Sequence, residues 1–397
     1  MRTLKKALKK IHFTPENGLV FCDKSDETEY IGERYHIQEK ANKLEATAVF
    51  FRRKYDENNK IIDSKPVLYI YNGKDELRIN SEKHKELHAK IWSAGDIDVY
   101  FIVSKTRIDI FNARKPAEVQ KKGTQELNVE NLCLVSEALK KFNDQRFSAM
   151  VFGKGTFWEQ EDFFDDNNKQ FFNNRLKEEN TPFHQLLEYL MAVREYLKEN
   201  SIGLLPETID KLLIVCILVK FLEEIKDDDG RHTLETVFQK YEINDFAEAL
   251  EKRKCFSILE ELASEFNGNI FYNFSDEEKQ HIERTDLKLV ADFLRAKLDI
   301  PTGQYFLWEQ YSFNYLPVEL ISSIYENFLP KEKGVVYTPP FLVNFLIDEV
   351  MPLDKAETYF SRNQFKVLDP SCGSGVFLVA AYKRMLQWWA VNHYEKT

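Results

Sequence analysis

The stretch FKVLDPSCGSGVFLVAAYKRM at 365–385 constrains this chain more than any other. Its first five residues, FKVLD, are largely apolar and partly β-branched, which predicts a strand ending at Asp369. PSCGSG is a turn, and VFLVAAYKRMLQWW reads as a helix. Strand, glycine turn and helix in that order form the first unit of a nucleotide-binding α/β fold. Gly373 and Gly375 let the backbone approach a ligand where a Cβ would collide. The helix that follows offers unpaired amides to a negative group. A dinucleotide fingerprint would want a small residue where the chain has Leu378. Its acidic partner would be Glu395, which stands in VNHYEKT and outside any strand pattern.

A second motif, YTPPF at 337–341, places Thr338 before two prolines and the apolar run FLVNFLIDEV. Threonine is a good N-cap, and Pro339 at the first helical position sacrifices no hydrogen bond. Alone this is a well-started helix. Taken together, the two motifs resemble the amino-methyltransferases that act on N6 of DNA adenine. In that family a TPP-type segment precedes the first strand, and the glycine turn has the form VLDP(A/S)CGSGxFL. VLDPSCGSGVFL at 367–378 matches it nearly residue for residue, with Tyr337 and Asp369 separated by 32 residues. LPVELISSIYENFLPKEKGVVYTPP is similar to the approach to the catalytic domain in type I modification subunits and fused restriction–modification enzymes. The resemblance is dense over 315–386, looser across the middle of the chain, and only general over the first 160 residues.

The resemblance implies an S-adenosylmethionine (SAM) pocket lined by Asp369 and the turn bearing Ser371, Gly373 and Gly375. Tyr337, Thr338 and Pro339 would close over the methionine end. A zwitterionic ligand with a cationic sulfur suits a carboxylate, open amides and an aromatic face. Cys372 and Ser374 read as residues that shape the turn rather than as nucleophiles. The family's catalytic tetrapeptide, (D/N/S)PP(Y/F/W), hydrogen-bonds the adenine amino group and stacks on the flipped base. It has no counterpart here, because TPPF at 338–341 is the sole PP-aromatic string. The expectation is therefore the N-terminal part of a larger methyltransferase, inactive alone, with no catalytic residue and no metal ligand assigned. Double-stranded DNA would be the partner of the intact protein, with specificity or restriction subunits beside it. An RNA guanine-N2 methyltransferase also uses DPxCGSG, but the YTPP segment argues against it. A protein glutamine methyltransferase usually lacks that turn.

The rest of the chain is ordinary globular sequence. Its 397 residues suggest two or three domains, and 43% hydrophobic with 14% aromatic residues is ample for sizeable cores. A net charge of −10 argues against non-specific coating of nucleic acid. Five cysteines are scattered without a CxxC pair, which indicates neither a disulfide framework nor a zinc site and makes a reducing cytoplasm the default. The most apolar run, LLIVCILV at 212–219, is far short of the ~20 residues a bilayer span needs, so no membrane contact is expected.

Three regions separate by pattern, giving an α/β N-terminal domain at 1–160, an α-helical domain at 161–330 and the first βα unit of a Rossmann-like SAM-dependent methyltransferase fold at 331–397. In the first, ATAVFFR, PVLYIY, DVYFIVS and RIDIFN read as strands, while SEKHKELHAKIW and ENLCLVSEALKKF read as helices. In the second, Ser275 and Glu278 form a capping box. The opening helix buries Leu4, Leu8 and Ile11, leaving Lys5, Lys6, Lys9 and Lys10 as a solvated face, with phosphate contact the alternative. His84 and His88, four apart on a helix, read as exposed rather than as metal ligands. Two further roles stay open: a restriction nuclease domain and a DNA- or subunit-docking module. A nuclease would use a D…(D/E)xK site, and the nearest strings are poor. Asp63-Ser-Lys65 reads as a polar loop, and Glu224-Ile-Lys226 and Glu277-Glu-Lys279 fall in the helical region.

Overall fold

The computed structural model describes residues 2–23, 28–73, 77–104, 107–119, 127–129, 131–136, 147–159, 182–226, 230–266, 271, 273–300, 304–305, 309, 311–315, 338, 340–353, 366–373 and 375–393. The chain divides into two compact units: Met1–Thr181 with Val336–Thr397, and Pro182–Val335.

The first unit is built on a six-stranded sheet: β1 (Leu19–Phe21), β2 (Ala48–Tyr55), β3 (Ile61–Asn72), β4 (Val99–Val103), β5 (Arg107–Asn112) and β6 (Asn131–Ser136), in that spatial order. Every pairing is antiparallel except β3 with β4, which run parallel. A parallel pair needs a crossover, and helix α3 (Glu82–Ala94) supplies it, after α1 (Arg2–Lys10) and α2 (Ile31–His36). The four expected strands all form. Of the other two, β1 had not been anticipated, and β6 falls where a helix was expected at ENLCLVSEALKKF. Pairing Ile108, Asp109 and Ile110 of β5 with Val135, Leu134 and Cys133 overrides the helical propensity of that segment.

Side chains alternate across the sheet, and both faces are buried. Phe50, Leu68, Ile70, Phe101, Ile108 and Ile110 form one face and pack with Leu4, Leu8 and Ile11 from the chain start and with Phe152 of α4 (Ala149–Lys154). The lysines of α1 remain exposed, as expected. The opposite face carries Tyr69 and Tyr100, and here the histidine expectation is corrected: His84 and His88 are buried. Large polar rings can sit under a helix only when each hydrogen-bonding group finds a partner.

These groups do. The Asn80 amide donates to His84 Nδ1 at 2.9 Å, so the ring proton sits on Nε2, 2.9 Å from the Tyr100 hydroxyl. At the other end, His88 Nε2 lies 2.7 Å from the Lys115 carbonyl, which can only accept. His88 Nδ1 must then accept, and the Tyr100 hydroxyl is 3.1 Å away. Donation runs one way through the network, and both rings are neutral. Burial pushes His84 down to about 3 and His88 down to about 4. His36, stacked near Tyr69 and 2.9 Å from its hydroxyl, is likewise pushed by burial to about 4.

Helix α2 is fastened by Glu33, whose side chain is fully buried. Arg53 of β2 grips it with Nε at 2.7 Å and Nη2 at 2.9 Å, Ser64 of β3 donates at 2.6 Å, and Thr28 donates to the second oxygen.

The second unit is helical. Helix α5 (Pro182–Asn200) is tied to α6 (Pro206–Glu224) by Arg194, which donates to both oxygens of Asp210 at 2.5 and 2.8 Å. Pro206 opens α6, where a missing N–H costs nothing. Leu212, Leu213, Cys216 and Ile217 are buried, as LLIVCILV leads one to expect. The capping box at Ser275 and Glu278 forms. No helix among the described residues is long and apolar enough to cross a membrane.

Two outcomes are expected. The three buried histidines have folded-state values below the ordinary value near 6.5, so the unfolded chain binds more protons in the acid range. Stability is full above about pH 6.5 and falls as pH drops toward about 4, with a slope near 1.4 kcal/mol per pH unit for each histidine. Urea melts across that window check it, and H88Q should show a shallower dependence. Removing one partner of the buried Glu33–Arg53 pair, as E33A, should lower stability by about 3–5 kcal/mol in the same assay.

Candidate cofactor site

The C-terminal segment contributes two helices, α12 (Pro340–Val350) and α13 (Val376–His393). Each begins at one of the two motifs. Helix α12 starts two residues after Thr338, and α13 starts immediately after Gly375.

Their mutual orientation follows from three hydrogen bonds. Arg384 of α13 donates to the carboxylate of Asp348 and to the Met351 carbonyl, and Trp388 donates its indole N–H to the Pro352 carbonyl at 3.2 Å. The Asp348–Arg384 and Pro352–Trp388 pairs are each separated by 36 residues, so contacts advance in the same direction on both helices. The helices therefore run parallel. The same offset carries Pro340, the first residue of α12, onto Val376, the first residue of α13. The two helix N-termini, each beside one motif, thus point the same way. Met351, Ala381 and Trp388 form the small core between them, joined by Ile31 of α2.

Just before α13 lies the glycine turn. Gly373 has φ 53° and Gly375 φ 83°, both in the left-handed region that disfavours a side chain. A Cβ on Gly375 would meet no atom within 4 Å, so the requirement there is conformational and the space beside the backbone is open. The Gly375 amide closes the turn on the Cys372 carbonyl at 2.7 Å, and the Val379 amide bonds the Gly375 carbonyl at 2.9 Å to start the helix. Asp369, half-buried, accepts the Ser371 amide at 3.1 Å. Ser371 and Gly373 are exposed, and Thr338 is half-buried. Tyr337 and Pro339 lie outside the described residues, as does Ser374.

The strand expected at FKVLD is a correction. Residues 366–369 are not in a strand, and Leu368 is 87% exposed. A strand exists through its ladder, and among the described residues nothing pairs with this one. The Asp63-Ser-Lys65 string is also relocated: it lies within β3, opposite Lys54, Arg53 and Arg52, rather than in a loop. No group of three or more His, Cys, Asp or Glu able to hold a metal occurs among the described residues.

Arg384 was not singled out in the sequence, although a signal was available. Ala381, Arg384 and Trp388 stand at i, i+3 and i+7, which puts the arginine on the apolar, buried face of its helix.

The family model described as N-6 DNA Methylase matches residues 318–394, the stretch holding both motifs and both helices. The likeness to that family is thus shown for this segment, which is under a fifth of the chain. A 62-residue stretch is 32% identical to the adenine-specific methyltransferase PglX of Streptomyces coelicolor, covering 16% of this chain and 5% of that protein. A solved structure, the type IIG restriction endonuclease BpuSI, aligns over 86% of this chain and 33% of its own at 15% identity, with a TM-score of 0.27 that sets no fold in common. The chain thus spans a small part of the length of the proteins it matches.

One expectation follows for the methylase turn. G375A places a side chain at positive φ and should cost about 1–2 kcal/mol locally. Faster hydrogen exchange at the Val379 amide, whose acceptor is the Gly375 carbonyl, would report it.

Proposed function

We propose that this chain supplies the cofactor-binding opening of a SAM-dependent DNA adenine-N6 methyltransferase from a restriction–modification system. The observation that carries the reading is the parallel course of α12 and α13, with Thr338 before the start of one helix and the Asp369–Gly375 turn before the start of the other. The match of 318–394 to the N-6 DNA methylases supports the same reading.

The residues suit the cofactor. Left-handed glycines hold the backbone open beside empty space, so a bulky ligand can lie directly against the main chain. Amides of the first turn of α13 face that space by helix geometry and favour the negative carboxylate of a methionine moiety. Asp369 brings a carboxylate for ribose hydroxyls or the cationic end, held in place by the Ser371 amide. Bound SAM would supply an activated methyl on a sulfonium. The chain's part is to bind and orient it, with Tyr337, Thr338 and Pro339 closing the methionine end.

Methyl transfer to adenine needs a group that accepts hydrogen bonds from the amino nitrogen and an aromatic ring for the flipped base. We assign neither to this chain, since its one PP-aromatic string belongs to the cofactor side. Double-stranded DNA and partner subunits are then engaged through the intact protein.

Calorimetric titration of the chain with SAM tests the proposal. Saturable binding is expected, weakened about tenfold to a hundredfold in D369A by loss of a charged hydrogen-bonding partner. Absence of binding to the folded wild-type chain would refute it.

A further inference from the structure

We infer that Arg384 is a positioning residue for the cofactor end of the methylase segment, an inference that rests on the SAM reading above. The side chain is 8% exposed, and each of its nitrogens is engaged. Nη2 meets Asp348, Nη1 meets the Met351 carbonyl, and Nε donates to Gln387 at 2.8 Å on its own helix.

The choice of partners gives the residue its role. Asp348 lies in the last turn of α12, and Met351 follows its final residue, Val350. The guanidinium therefore sits at the negative end of one helix while growing from the middle of the other. A planar donor with nitrogens spread across two levels fixes both the distance between the helices and their relative slide. Slide is the quantity that matters here. If α13 moved one residue along α12, its glycine turn would move about 1.5 Å past Thr338. Methylene packing by Met351, Ala381 and Trp388 resists separation but tolerates sliding far better than a directed pair of hydrogen bonds does. The register of the two helices is thus set about two turns from the ligand end. Arg384 touches neither turn and acts through helix register alone.

The test uses the full chain as wild type, R384M, R384K and D348N. Two readouts are taken: SAM affinity by calorimetry, and hydrogen exchange of the Val379 and Ala380 amides without ligand. R384M should weaken SAM binding by about tenfold or more, the scale expected of an ångström-level misplacement. R384K keeps a charge at Asp348 but lacks the planar fork, so its affinity should fall between those of wild type and R384M, and wild-type affinity in R384K would show that charge alone, not the fork, sets the register. Exchange at Val379 and Ala380 should quicken in R384M, while amides of β4 keep their protection. Wild-type affinity and exchange in R384M would overturn the inference. Should the folded wild-type chain bind no SAM, the functional reading falls on its own, and exchange decides the inference: unchanged protection in R384M overturns it. If R384M fails to fold, D348N carries the same comparison, since Asp348 is half exposed and its loss leaves the Met351 contact in place.

Discussion

A buried arginine between two parallel helices is the constraint from which the rest of the C-terminal segment follows. Parallel neighbours align their dipoles unfavourably. Arg384 offsets that arrangement at the C-terminal end of α12, where its charge meets a carboxylate and a terminal carbonyl. Burying a guanidinium is costly unless its nitrogens find acceptors, and here Asp348, Met351 and Gln387 engage one each. At the other end of the pair the glycine turn leaves open space beside Gly375.

Helix α2 makes the second joint. In six residues it presents Ile31 to the small core of α12 and α13, Glu33 to β2 and β3, and His36 to Tyr69. The same short helix therefore ties the methylase pair to the sheet. Its anchors are polar and buried, so they tolerate little substitution: each is satisfied in a fixed geometry and each leaves an orphan if its partner goes. The Tyr100 network under α3 follows the same logic with neutral rings instead of ions.

The sheet was largely legible in the sequence because its strands are continuous apolar runs bounded by turn residues, and strand burial on both faces demands such runs. Segment 131–136 misled because its four apolar residues, Leu132 to Val135, form a run too short to separate strand from helix. His84 and His88 misled for a different reason. Their partners are one tyrosine hydroxyl 12 and 16 residues downstream, a backbone carbonyl and a backbone amide, none of which a pattern of residue types reveals. The alternation YIY and VYF was the available hint: tyrosines on alternate positions of a two-sided sheet must find polar company beneath a helix.

At the candidate site the sequence announced the turn's backbone conformation, with glycines at two positive-φ positions, and gave no sign of the side chains that orient its helix. Glycine takes φ of 53° or 83° at no steric cost; Glu242 and Ala296 also stand at 53°, so the conformational demand is sharpest at Gly375, and a string such as DPSCGSG records it. A register clamp such as Arg384 can be built from many residue pairs at many levels of two helices, so no fixed string records it. The same contrast explains why the family match is confined to 318–394 while the sheet domain, whose packing has many equivalent solutions, falls outside it. The expected strand at 366–369 marks the boundary between the two cases. Its composition specifies a β conformation, but a strand is completed by a neighbour's amides and carbonyls, which no local sequence can provide.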